Sequence, residues 1–102
     1  MQEISLDKIK MIDFPKDQYY QQETEKKQIV LHHTVNNSVE GTVQGWIDDP
    51  KHVSTHFIID RNGQVFQLYN TKYWSYHLGS KKQLEMDSIG IELINWGWLK
   101  KV

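Results

Sequence analysis

Two short apolar runs constrain this chain more than any other feature. Ile29-Val-Leu-His-His-Thr34 is aliphatic or β-branched at both odd and even positions, and Ser88-Ile-Gly-Ile-Glu-Leu-Ile-Asn95 is a second apolar run. A strand faces two ways, so a run that is apolar on both parities needs cover on both sides. Ile29–Thr34 therefore reads as a buried central strand of a sheet, and 88–95 as a second apolar strand. Each run also carries ionisable groups: His32 and His33 in the first, Glu92 in the second. Burying such groups is costly unless they are paired, hydrogen-bonded or used.

The rest of the chain supplies few other elements. Asn37 with Glu40 fits a capping box, and Val39, Val43, Trp46 and Ile47 recur at helical spacing before Asp48-Asp49-Pro50 stops the helix. Thr55–Asp60 and Gln64–Leu68 are strand-like runs around Arg61-Asn62-Gly63, and Asn-Gly there predicts a hairpin with a primed turn. Residues 73–78 are aromatic-rich and read as a strand or a groove wall, and 81–87 as a polar loop. Residues 1–28 read as an N-terminal arm ending in a solvated charge run at 23–27, with 29–102 as the domain proper. The elements read β-α-β-β-(β)-β, an α/β (α+β) fold whose mixed β-sheet has little helix to cover it. The sheet looks unfinished, because little follows the 88–95 strand to cover it.

Composition removes whole classes of function. With 102 residues the chain is one domain. Twelve basic against thirteen acidic residues give a net charge of −1, which argues against a phosphate-tracking nucleic-acid binder. No apolar run approaches the roughly 18 residues of a membrane span. Residues 1–10 lack the apolar core of a signal peptide. The absence of Cys excludes disulfides, thiolate metal sites and a Cys nucleophile within the chain. Four Trp, five Tyr and five His in so short a chain suit a cleft that grips a polar ligand or holds a metal.

Several residues stand out as candidates for chemistry. His32 and His33 are adjacent in a strand, point to opposite faces and do not readily share one metal. Spacing alone leaves each open as a structural histidine or a ligand. Glu92 lies in an otherwise apolar strand, with Gly90 leaving space on the same face. A buried carboxylate beside a hollow suits a general base, while an ion pair is the structural alternative. Trp74-Ser-Tyr-His77-Leu-Gly79 reads as a groove lining or as ordinary edge-strand aromatics. His52 and His56 have zinc-pair spacing, but the intervening Val53-Ser-Thr55 lacks the expected Glu, and His56 reads as a core residue.

Taken in order, Ile29–Thr34, Val53-Ser-Thr-His-Phe-Ile-Ile-Asp60 with Gly63, Lys72-Tyr-Trp-Ser-Tyr-His-Leu-Gly79 and Ser88-Ile-Gly-Ile-Glu-Leu93 resemble the zinc-dependent N-acetylmuramoyl-L-alanine amidases of the amidase-2 type. That family is related to peptidoglycan recognition proteins. The wording at 72–79 and 91–97 is closest to cell-wall hydrolases of phages and prophages. The resemblance covers about residues 27–98 and implies a mixed central β-sheet flanked by helices, with a zinc cleft along one face. It implies that His32 is the first zinc ligand and Glu92 the residue that activates the metal-bound water. His77 would be a groove residue flanked by Trp74 and Tyr76, and Thr55 a position facing the cleft, with His33 also assigned to substrate binding.

The same resemblance places the second zinc histidine and an Asp or Cys ligand downstream of Val102. The chain is therefore expected to be C-terminally truncated, to lack a complete Zn2+ site alone and to be nearly inactive by itself. Two alternatives to truncation stand beside it: a short non-catalytic peptidoglycan- or muropeptide-binding module, and ligands drawn from another chain or from His33, His52 or His56. Strand geometry disfavours the last. The implied function is hydrolysis of the amide between N-acetylmuramic acid and the L-alanine of the stem peptide. The implied partner is peptidoglycan, with no nucleic acid and no membrane span. The implied location is synthesis in the cytoplasm and action on the cell wall, as for a phage endolysin.

Overall fold

The structure, a computed structural model, describes residues 8–34 and 38–94. The Asn37 cap and the tryptophans at 96 and 98 lie outside the described residues. A five-stranded mixed sheet forms the centre, built from β1 (Lys10–Met11), β2 (Gln28–Thr34), β3 (Phe57–Ile59), β4 (Val65–Gln67) and β5 (Ser88–Ile94) in the order β1-β4-β3-β5-β2. Among the described strands, β3–β4 is antiparallel, while β1–β4, β3–β5 and β5–β2 are parallel.

The order corrects one expectation. β2 is an edge strand of the described sheet, and β5 takes the interior position between β3 and β2. The apolar character of β2 on both parities is therefore only half used. Ile29 is 66% and Leu31 63% exposed, with no described element over them. The opposite parity of the sheet carries the core. Ile58, in register with Phe66 and Glu92, is completely buried and packs with Phe14, Val43, Leu68, Tyr69 and Ile94.

Helix α1 (Val39–Ile47) covers that side with Val43, and Val39, Trp46 and Ile47 pack against the same core. The Ser38 hydroxyl caps the helix by accepting the Gly41 N–H at 3.0 Å. The helix stops ahead of Asp48 and Pro50, as the sequence predicts.

The hairpin forms where expected, but its turn is not a primed one. The Gly63 N–H bonds the Asp60 carbonyl and the Asp60 N–H bonds the Gln64 carbonyl. Gly63 has φ +88°, while Asn62 has negative φ. A primed type I turn needs positive φ at both central residues, so this is the three-residue loop that ends on a left-handed glycine.

Two further segments depart from the sequence reading. The polar 81–87 stretch contains a short helix, α2 (Lys82–Met86), with Glu85 fully buried. The segment before β2 is stitched to the body. Phe14 sits in the core, Tyr19 stacks on Tyr69 at 4.4 Å, and Tyr20 bridges Trp74 through its backbone. The charge run at 23–27 is not uniformly solvated. The Lys26 ammonium donates to the Tyr73 and Met86 carbonyls at 2.7 and 2.9 Å, and burial lowers its pKa to about 8.

The two faces of the sheet should respond differently to truncation. Ile58→Ala should cost about 2–5 kcal/mol, as for a buried aliphatic, whereas Leu31→Ala should stay within about 0.5 kcal/mol. Urea midpoints of the two variants check this, and equal losses would contradict the edge placement of β2.

Candidate functional site

The pairing of β2 with β5 builds the site. The two strands run parallel over seven rungs, from Gln28 opposite Ser88 to Thr34 opposite Ile94. His32 and Glu92 are opposite partners in this ladder, so both project from the same face of the sheet. Glu92 is also in register with the buried Ile58 of β3. It thus sits between an imidazole-bearing strand and an apolar one. Burial raises its pKa to about 7.

A cleft of about 220 Å3 opens over this face, bordered by His32, His33, Trp46, Thr55, His77 and Glu92. Val53 and His77 connect it to a second hollow of about 370 Å3 lined by Lys51, Tyr76 and Gly79. A larger hollow, about 590 Å3, lies between α1 and the hairpin, bordered by Ile12, Val39, Phe66 and Arg61. None of the candidate catalytic groups borders it.

The space expected beside Gly90 is filled. A Cβ on Gly90 would meet His77 Nδ1 and Thr55 Cγ2, both at 3.1 Å, so the missing side chain makes room for those two residues. The His77 side chain is only 2% exposed. Its Nδ1 lies 2.8 Å from His32 Nε2, and its Nε2 lies 2.7 Å from the Ser88 hydroxyl. Burial holds its pKa down, at about 4, and burial also lowers that of His32, opposed by the Glu85 carboxylate. Both rings are therefore neutral at pH 7 and carry one lone-pair nitrogen each.

The other predicted residues divide between cleft and wall. Thr55 is buried on the cleft border, its hydroxyl donating to the Phe57 carbonyl at 2.8 Å. Tyr76 lines the second hollow, and His33 reaches the cleft rim. Trp74 is 1% exposed, stacked on Tyr20 at 4.3 Å, with its indole N–H donating to Gln22 Oε1. It serves as the wall behind the groove. His56 is a core residue, as its sequence context suggests. Its Nδ1 accepts the Gly90 N–H at 3.1 Å, and its Nε2 lies 2.6 Å from the Tyr73 carbonyl.

Sequence reasoning missed Glu85. Its carboxylate accepts the backbone N–H groups of His77 and Leu78 on Oε1, both at 2.9 Å, and that of Ser80 on Oε2 at 3.2 Å. It fixes the loop that delivers His77. A five-residue helix shows less than two turns, too few for a helical period to reveal which face is buried.

Zinc is the metal that the amidase resemblance implies. A neutral His32 on the cleft border suits one ligand. Among the described residues, no group of three or more His, Asp or Glu side chains is arranged to hold a metal ion. The described residues therefore do not form a closed metal site.

Comparison with known proteins establishes the family and the fold. The family model for N-acetylmuramoyl-L-alanine amidase matches residues 22–101. The chain belongs to this amidase family. No curated protein matches the sequence. Among solved structures, the fold is similar to that of PlyL, with a TM-score of 0.68, 21% identity and coverage of 82% of this chain and 55% of that one. It is also similar to the Staphylococcus aureus hydrolase AmiA in complex with its ligand, at TM-score 0.69 and 18% identity over 90% of this chain and 46% of that one. AmpD of Citrobacter freundii matches at TM-score 0.53 and 22% identity, over 93% of this chain and 63% of that one. This amidase chain thus spans about half to two-thirds of the length of the structures it matches. No helix among the described residues is long and apolar enough to cross a membrane.

The buried imidazoles give the fold an acid-sensitive term. His56 is neutral when folded, with a pKa lowered from 6.5 to about 4, chiefly by burial. Unfolding frees it to take a proton below pH 6.5, so its contribution is fully present above that pH and is lost as pH falls toward 4. The loss is on the order of 3 kcal/mol. Glu92 acts in the opposite direction, since its raised pKa makes the folded state bind the extra proton between pH 7 and 4.5. Urea titrations between pH 7 and 4 should show a net loss of stability, steeper in Glu92→Gln. A shallower loss in that variant would contradict the burial of Glu92.

Proposed function

We propose that this chain carries the general base of an amidase that hydrolyses the amide between N-acetylmuramic acid and the L-alanine of the peptidoglycan stem peptide. The observation that carries the reading is the in-register placement of His32 and Glu92 on one face of the β2–β5 pair, at a cleft. Membership of the amidase family supports the substrate class. The wording of Lys72–Gly79 supports a cell-wall lytic role of the endolysin kind.

In this reading Glu92 is the general base and then the general acid. Its carboxylate takes a proton from water as the oxygen attacks the lactyl carbonyl, and returns that proton to the departing L-alanine amine. A pKa near neutrality suits both transfers. His32 is the residue that would hold zinc, with the remaining ligands supplied from outside the described residues. Bound zinc would polarise the carbonyl and the water. Tyr76, His33 and Thr55 border the groove in which the stem peptide and glycan would lie, with Trp74 behind it and His77 beneath it.

In a form with its full ligand set, Glu92→Gln should lower cleavage of a muramyl-L-alanine amide by about 10²–10⁴-fold while muropeptide binding persists. Release of free L-alanine amine, followed alongside calorimetric binding, checks this, and wild-type turnover in the Gln variant would remove Glu92 as the base. The 102-residue chain alone should show little turnover. Stoichiometric zinc together with amide cleavage in that chain would overturn the view that its own ligand set is incomplete. A second reading, a muropeptide-binding module that does not cut, is favoured by the absence of a three-ligand group among the described residues. Binding that is indifferent to chelators, with no turnover in any longer form, would select it.

A further inference from the structure

A hydrogen-bonded chain of buried groups runs from α2 to the cleft. The Ser88 hydroxyl lies 3.3 Å from the Glu85 backbone carbonyl, which only accepts, so the hydroxyl proton is directed there. The hydroxyl oxygen is then the acceptor for His77 Nε2, 2.7 Å away. A second observation agrees: Glu85 Oε1 lies 3.9 Å from the same nitrogen, and an acceptor oxygen on that side favours the proton at Nε2. A neutral His77 with Nε2–H has its lone pair on Nδ1, the atom 2.8 Å from His32 Nε2. Two lone pairs do not face each other at that distance, so His32 carries its proton on Nε2.

We propose that His77 is a positioning residue for His32: anchored on Ser88, it accepts the Nε2–H of His32 and leaves Nδ1 as the lone-pair nitrogen that His32 offers. Ligand histidines commonly donate their other ring N–H to a group that fixes tautomer and ring orientation, and an imidazole acceptor serves here. The three N–H bonds from the 77–80 loop to Glu85 hold the backbone of that acceptor. Gly90 completes the arrangement, because any side chain there would meet His77 Nδ1. His77 then acts on the site through His32, beneath the groove surface, consistent with its 2% exposure. The inference rests on the proposed role of His32 and is independent of whether Glu92 is the base.

The test reads tautomers in the 102-residue chain without metal, so it does not depend on catalysis. Long-range 1H–15N correlation spectra of the histidine rings, recorded in mildly alkaline buffer, should show pyrrole-type Nε2 and pyridine-type Nδ1 at both His32 and His77. A pyrrole-type Nδ1 at either ring would overturn the proposal. In Ser88→Ala the ring nitrogens of both His77 and His32 should shift toward a mixture of tautomers, while Ser88→Thr should retain the wild-type pattern. Unchanged His32 nitrogens in a folded Ser88→Ala chain would also overturn it. If that variant does not fold, the wild-type and Ser88→Thr spectra decide. Loss of this result, with Glu92→Gln inactive in a form that has its full ligand set, would sink the positioning role and leave the amidase reading standing.

Discussion

The parallel pairing of β2 with β5 is the constraint on which the site depends. It fixes which residue of one strand meets which residue of the other, and the strand period of two fixes the face. A slip of one residue would carry Glu92 to the parity of Leu31 and Leu93 and leave His32 opposite an aliphatic side chain. The register is held because the correct parity brings Ile94 and the neighbouring Ile58 into the core under α1. The same apolar packing that sets the register also removes water from beside Glu92. The hydrophobic core and the raised carboxylate pKa thus share one cause.

A second device secures the parts that the sheet does not. The loop carrying His77 has little regular structure, and its N–H groups need partners. Glu85 supplies them from α2, a fully buried carboxylate that accepts three backbone bonds. Lys26 does the converse, its ammonium holding the carbonyls of Tyr73 and Met86. One buried anion gathers donors and one half-buried cation gathers acceptors. Together they tie the segment before β2, the aromatic 73–78 stretch and α2 to one another. Both charges are desolvated, and each arrangement is tolerable because several hydrogen bonds compensate it.

Much of this was readable in the amino-acid order. The β2 and β5 runs, the β3–β4 hairpin, the spacing of α1 and the odd carboxylate at Glu92 are local patterns, and each survives in the fold. What was not readable depends on non-local facts. Two-sided apolarity cannot distinguish an interior strand from an edge strand, so β2 reads as central although in the described sheet it lies at the edge and β5 lies inside. Gly90 signals a missing side chain but not what fills the gap, and His77 arrives from 13 residues earlier in the chain. Glu85 looked like one more polar residue because its partners are backbone N–H groups, which leave no trace in side-chain chemistry.

The charge state of the cleft follows from these placements. His32 and His77 are pushed toward the neutral form, and Glu92 is held near the midpoint of its titration at pH 7. The face therefore presents lone pairs and a carboxyl group that is only partly ionised, in place of fixed charges. Such a surface costs less to bury beneath a bulky ligand than a permanent ion would. It is also responsive. Positive charge brought beside Glu92 favours its carboxylate form, so binding of a cation at the cleft and readiness to accept a proton are coupled by Coulomb interaction alone. The His32–His77–Ser88 chain adds directionality, because the proton pattern set at Ser88 decides which nitrogen of His32 has a lone pair to offer. In this arrangement the sheet fixes where the reactive groups stand, burial sets their protonation, and a buried hydroxyl chooses the tautomer.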